Sequence, residues 1–283
     1  MIILQIILSI FSMVAYNSLV NGVCKKDLKT TDHVHAFSSI FYAVCVVLFG
    51  LVALGGGISW FTVILGLAFG IVTNLSAYYK MRALASGPMH VTLLVTTASM
   101  IIPTMSGVFF GESFSIWKLL IVFILIFFIY LSFEKSDEKK TNKTWVVFCI
   151  LAFAFQAAVG VLQKVHQSTE HKGEIGVFLL IAFICSLVFS VVRRKTPYKQ
   201  LCFTKKQVIF AVVCGICTFA MNYINLKLSG ILPSQLFFPL INGSAIVLSS
   251  LCSVFIFKEH LSKKQFVGLA GGILSLIAIC LVK

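Results

Sequence analysis

The chain has 283 residues, 59% of them hydrophobic and only 11% charged, with a mean hydropathy of +1.02. A water-soluble domain is nearer half apolar and a quarter charged, so a lipid bilayer is the better solvent for this chain. The net charge of +14 would suggest nucleic acid in a soluble protein. Here the basic residues sit in short gaps between apolar runs, as membrane-flanking Lys and Arg do, and no nucleic-acid partner is expected.

A spanning helix needs about 20 predominantly apolar residues. Ten runs qualify, over approximately 2–22, 34–54, 58–79, 88–110, 115–133, 144–165, 175–192, 207–227, 233–256 and 264–282. The first, MIILQIILSIFSMVAYNSLVNG, has neither a basic leader nor an A-x-A site and reads as a retained span. The gaps are short and polar, with no room for a soluble domain. Backbone polar groups cannot face lipid unpaired, so the runs are expected to be helices. The alternating strands of a barrel are absent. Most of the nine cysteines fall inside apolar runs. They read as small buried residues, including the Cys214/Cys217 pair, and neither a metal nor a cofactor is expected.

The ten runs divide into two fives. ALASGP (83–88) precedes the fourth run and LKLSGILP (226–233) the ninth. FFGESFS (109–115) follows the one and IFKEHLS (256–262) the other. The Ser-Gly pairs at Ser86 and Ser229 are 143 residues apart, and Glu112 and Glu259 are 147 apart. The expected organisation is a first repeat over 1–134, a hydrophilic linker over 135–143 (within EKSDEKKTNK) and a second repeat over 144–283. An odd number of spans per repeat makes the second insert upside down, as in secondary transporters. The expected fold class is therefore an all-α integral membrane protein, ten transmembrane helices in two inverted five-helix repeats around a central cavity.

This doubled pattern, with GVFFGESFS in one half and SVFIFKEHLSKKQFVGLAGGILSL in the other, resembles the drug/metabolite transporter superfamily, in particular its EamA-like members. The second-half match includes Lys258, Glu259, Gln265, Gly268, Gly271 and Gly272. The first half keeps Gly111 and Glu112 but lacks the glycines of the last helix. The resemblance implies that spans 1, 3, 4, 6, 8 and 9 surround the cavity, in the plasma membrane of a bacterium. It also implies that both termini are cytoplasmic. Charge counting gives the reverse orientation, since 18 of the 23 Lys and Arg residues lie in the gaps after odd-numbered spans.

Four of the five prolines lie in the matching fourth and ninth runs. Pro88 and Pro233 suit helix starts. Pro103 and Pro239 lie deeper, each removing an intrahelical hydrogen bond, and read either as helix breaks lining a substrate site or as packed kinks. Polar side chains inside spans are costly and face protein or a wet cavity. The cavity-lining candidates are Tyr16, Asn17, Asn74, Tyr78 and Thr96 in the first half, with Asn21, Tyr79, Thr92 and Thr97 beside them. In the second half they are Gln156, Gln163, Asn222, Tyr223, Gln235 and Asn242, with Asn225. Interhelical hydrogen bonding is the alternative role for the amides. Gln156 and Gln163, like Gln235 and Asn242, are seven apart and share a helix face. Glu112 and Glu259 are read as structural acids satisfying free N–H groups at a helix start. Gly268 and Gly272, like Gly66 and Gly70, are read as close-contact positions.

All nine acids fall in gaps or at helix ends, so no carboxylate lies at a midplane to alternate between proton and cation. This points to a neutral, zwitterionic or anionic metabolite rather than a cation. Lys80, Arg82, Lys164 and Lys227 could attract an anion or snorkel to the interface. The six histidines form no HxxxH or HExxH pattern, and no phosphate-binding loop is present. The expected function is secondary transport of a small amino-acid-like or similar metabolite by a monomer or homodimer, without enzymatic activity. An integral-membrane enzyme, a channel or a scaffold is the alternative.

Overall fold

The computed structural model describes residues 2–26, 28, 30–87, 89–132, 143–201, 203–257 and 262–282, the side chains of residues 21, 24–26, 89–91, 132, 198, 199 and 249–257 excepted. The signature acid Glu259, Pro88 and the linker up to residue 142 lie outside that set. The helices in chain order are α1 (Ile2–Lys26), α2 (Thr31–Ala53), α3 (Trp60–Ser86), α4 (Met89–Ala98), α5 (Ile101–Ser106), α6 (Ile116–Ser132), α7 (Lys143–Gln167), α8 (Ile175–Arg193), α9 (Lys205–Ser229), α10 (Ser234–Phe257) and α11 (Lys263–Leu281). Among the described residues there is no β-strand. Eight helical segments there are long and apolar enough to cross a membrane, the fourth running across α4, α5 and the turn after them. Two further apolar segments, Ile116–Leu131 and Ser234–Leu248, are shorter.

The exterior agrees with a bilayer as solvent. Outward side chains such as Ile3, Leu4, Phe11, Ile64 and Val192 are at least 66% exposed, a coat that water would not tolerate over so large an area. At one end of the bundle Trp60, Phe109 and Trp117 stand outward at 82%, 88% and 67% exposure, as aromatic residues do at membrane interfaces. The chain is a multi-pass helical membrane protein.

Local sequence sets the helix ends. Thr30, Ser59, Thr204 and Ser262 each accept a backbone N–H in the first turn of the helix they precede, and Gln207 and Gln265 complete capping boxes at α9 and α11. The fourth run is interrupted. Pro103 has no N–H to offer the Ser99 carbonyl four residues back. Ser99 takes the Ile102 N–H instead, at 3.2 Å, and the helix breaks between Ala98 and Ile101. Pro239 does not break its helix: α10 runs unbroken through it. Its missing N–H leaves the Gln235 carbonyl without its intrahelical partner.

The most extensive pairings all join a helix of the first half to one of the second: α3 with α7, α1 with α9, α2 with α8, and α6 with α11. Residues 1–134 and 144–283 are thus interleaved rather than side by side. α2 and α8 run antiparallel. At one end Asp32 accepts the Lys195 and Thr196 N–H groups at 3.2 and 3.1 Å. At the other, Gly176 lies against Val52 and Ala53. α3 and α8 run parallel, with Gly66 beside Phe178, Gly70 beside Ala182, and Asn74 bonded to Ser186 and Ser190. In lipid such contacts must come from close packing and interhelical hydrogen bonds, because apolar burial gives little net drive there. The small faces of Gly66 and Gly70 serve that end. On α11 a Cβ at Gly271 would sit 2.2 Å from the Phe128 ring of α6, and one at Gly272 would meet Val247 of α10 at 3.1 Å.

Candidate functional site

Between α1, α5, α7, α9 and α10 lies an internal cavity of about 90 Å³. The α4–α5 break forms part of its wall, through Ser99, Met100 and Pro103. The Pro103 ring packs on Gly160 of α7, whose missing side chain makes the room: a Cβ there would lie 2.8 Å from the proline. Among the described residues, five carboxamides line the cavity: Gln156 and Gln163 from α7, Asn222 and Asn225 from α9, and Asn242 from α10. Their seven- and three-residue spacings put each pair on one helix face. Met13, Met100, Phe237 and Phe238 supply apolar wall.

The amides are only partly spent on the protein. Asn222 Nδ2 donates to the Thr218 carbonyl at 2.8 Å, and Asn242 Nδ2 to that of Phe238 at 2.9 Å. Asn225 Oδ1 accepts from Ser9 Oγ. Gln156 Oε1 accepts from Ser76 Oγ at 2.9 Å.

The other sequence-predicted residues lie elsewhere. Asn74 donates to the Ser186 carbonyl and Ser190 Oγ, at 2.9 and 2.7 Å, inside the α3–α8 contact. Thr96 bonds back to its own helix at Thr92 and Leu93. Tyr78 stacks on His35 with ring centroids 4.9 Å apart, Tyr16 meets Phe41 edge-on, and Tyr223 stacks on Phe219. Asn17 accepts from Lys80 Nζ at 2.9 Å. Gln235 binds the Ser115 backbone twice, Oε1 accepting its N–H at 2.9 Å and Nε2 donating to its carbonyl at 3.1 Å. Sequence reading left out the role of Ser9 toward Asn225, since a serine in an apolar helix most often bonds back to its own backbone.

Next to the cavity lies a polar latch. Gln163 lines the cavity, and the next residue, Lys164, forms an ion pair with Glu112 and donates to the Ser229 carbonyl at 3.0 Å. The second oxygen of Glu112 accepts the Ser234 N–H at 2.7 Å, at the start of α10. Sequence reading expected Glu112 to serve the last helix of its own half. The structure crosses the two over: Glu112 serves α10, and Gln235 of α10 serves the backbone just before α6. Gly107 and Gly111 make this possible. A Cβ on Gly107 would sit 2.1 Å from Glu112 Oε2, and Gly111 has φ +75°, a left-handed conformation that suits glycine. Outside the latch, Glu112, Lys164 and Gly230–Pro233 border a shallower depression of about 320 Å³.

At the same end, Glu174 accepts from Ser59 N–H and Oγ at 3.1 and 2.8 Å. Burial alone would raise the pKa of this carboxyl; hydrogen bonds from Thr62 and Ser59 outweigh that and hold it below the usual glutamate value.

No family model matches the chain, and no curated protein matches it. A solved structure described only as "Crystal structure of protein" shares its fold, with a TM-score of 0.72 over 99% of each chain at 14% identity. That likeness concerns the fold alone.

Proposed function

We propose that this protein is a secondary transporter, built as two inverted five-helix repeats of the drug/metabolite transporter type, that moves a small metabolite across a membrane by alternating access. The observation that carries the reading is the amide-lined cavity, enclosed by helices of both halves beside a broken helix. Irregular helices at buried polar sites are how such carriers bind substrate.

The pairing of helices supports the repeat. Exchanging each helix for its counterpart in the other half turns the α3–α7 contact into α9–α1, and α3–α8 into α9–α2; all four are among the extensive pairings. The counterparts α2 and α8 run antiparallel, as inversion requires. At about 90 Å³ the cavity holds roughly three waters' worth of liquid volume and lies below the 300–1,000 Å³ typical of ligand sites. A metabolite therefore enters only when the halves part, and the Glu112–Lys164 latch is the contact that must open on its side.

Reconstitution into liposomes tests the proposal. Saturable uptake of a metabolite, accelerated by the same metabolite loaded inside, is the expected result. Flux that never saturates would make the protein a channel, and turnover without flux would make it an enzyme.

A further inference from the structure

We infer that the ligand of the cavity is uncharged and carries several hydroxyl or carboxamide groups. The inference rests on the transport reading of the cavity and narrows its substrate from a neutral, zwitterionic or anionic molecule to a neutral one.

The first ground is the lining. Among the described residues that line the cavity none is Asp, Glu, Lys, Arg or His. The neighbouring cation, Lys164, is already matched by Glu112 and the Ser229 carbonyl. A charged ligand moved here from water would meet no counter-charge, and an unpaired buried charge is costly.

The second ground is the sign of what the amides have left to offer. A main-chain carbonyl only accepts, so the atoms that Asn222 and Asn242 use on Thr218 and Phe238 are their NH₂ groups. Each keeps its amide oxygen for a ligand. Asn225 spends its oxygen on Ser9 and keeps its NH₂. Gln163 has no side-chain hydrogen bond among the described residues and offers both. Asn222 and Asn225 are three residues apart on α9, so an acceptor and a donor stand next to each other. An anion would want donors only and a cation acceptors only. For either, this mixed set turns wrong-signed dipoles toward the charge. A hydroxyl or a primary amide uses both signs at once. The rings of Phe237 and Phe238 and the Met13 and Met100 side chains suit its C–H faces.

Two measurements on the purified full-length protein test this. The first is thermal stabilisation by compounds of matched size: glycerol, erythritol and ribose as polyols, malonamide as a diamide, and malate, choline and alanine as anion, cation and zwitterion. Ligand binding raises apparent stability by mass action. The expected result is stabilisation by polyols or by the diamide, which separates those two sources, and by none of the charged probes. Gln163→Leu and Asn242→Leu should each weaken that binding about tenfold, the loss expected when a ligand group is left unpaired. Asn74→Ala, distant from the cavity, should leave the affinity unchanged and controls for folding. Stabilisation by malate, choline or alanine alone, or by no probe, overturns the inference.

The second measurement is liposome uptake of the same compounds. Saturable flux of a charged compound overturns the inference and leaves the transport reading standing. Amide-dependent binding of a neutral compound without flux upholds the inference and removes transport.

Discussion

Gly70 and Asn74 lie about one turn apart on α3, and both face α8. A Cβ at Gly70 would sit 2.3 Å from the Ala182 carbonyl oxygen, whereas one at Gly66 would meet Phe178 O at 3.1 Å and one at Gly22 would meet nothing within 4 Å. Thermal unfolding in detergent should therefore rank alanine variants in the order Gly70, Gly66, Gly22, from most to least destabilised. The Gly70 variant should lose about 1–3 kcal/mol, the usual cost of overpacking. Asn74→Ala removes two interhelical hydrogen bonds, each worth roughly 0.6–2 kcal/mol in a membrane protein, and should lower stability without changing substrate affinity. The small-residue spacing on α3 was legible in the sequence, because close helix approach demands it. The task of Asn74 was not. An amide in an apolar run is satisfied equally well by a cavity or by a neighbouring carbonyl, and spacing does not say which neighbour it faces.

Between elements, the Glu112–Lys164 pair is the contact with most at stake. It joins the turn after α5 to the end of α7, and through backbone bonds reaches the end of α9 and the start of α10. Removing one partner of a buried pair strands the other and costs about 3–5 kcal/mol, while replacing both with apolar groups is often nearly neutral. Glu112→Gln retains an acceptor for the Ser234 N–H but leaves Lys164 unmatched. It should destabilise strongly, as should Lys164→Met, and the Glu112→Gln/Lys164→Met double variant should lie nearer the wild type. A double-mutant cycle of unfolding free energies checks this, and additive losses would show that the pair is not coupled. The sequence marked Glu112 as a helix-start acid but could not show that it serves a helix 122 residues away. The Pro103 break was legible for a chemical reason, since proline lacks the N–H that Ser99 needs. Pro239 lacks the same N–H, yet α10 continues through it.

Across the whole molecule, each of the ten apolar runs contains helix, because hydropathy over some 20 residues is a coarse signal that tertiary detail cannot override. The interleaving of the halves was not legible, since pairing depends on which face each helix turns. One inter-half link is pH-sensitive. The folded-state pKa of Glu174 is depressed, so its contribution is present above the unfolded-state value and is lost as pH falls through the folded-state value. Glu174→Gln should be less stable than the wild type at neutral pH, and the gap should close on acidification; thermal unfolding across a pH series would show it. The interleaving also bears on how the protein is made. α3 packs on α7 and α8, and α1 on α9, yet those partners leave the ribosome later. During synthesis the first half of the chain would sit in the bilayer with these contact faces on lipid, awaiting a mate. Chain continuity between the halves then serves chiefly to keep them near one another. Expressed as two polypeptides cut between residues 134 and 142, they should find each other and co-purify, while the first alone should be cleared by membrane quality control.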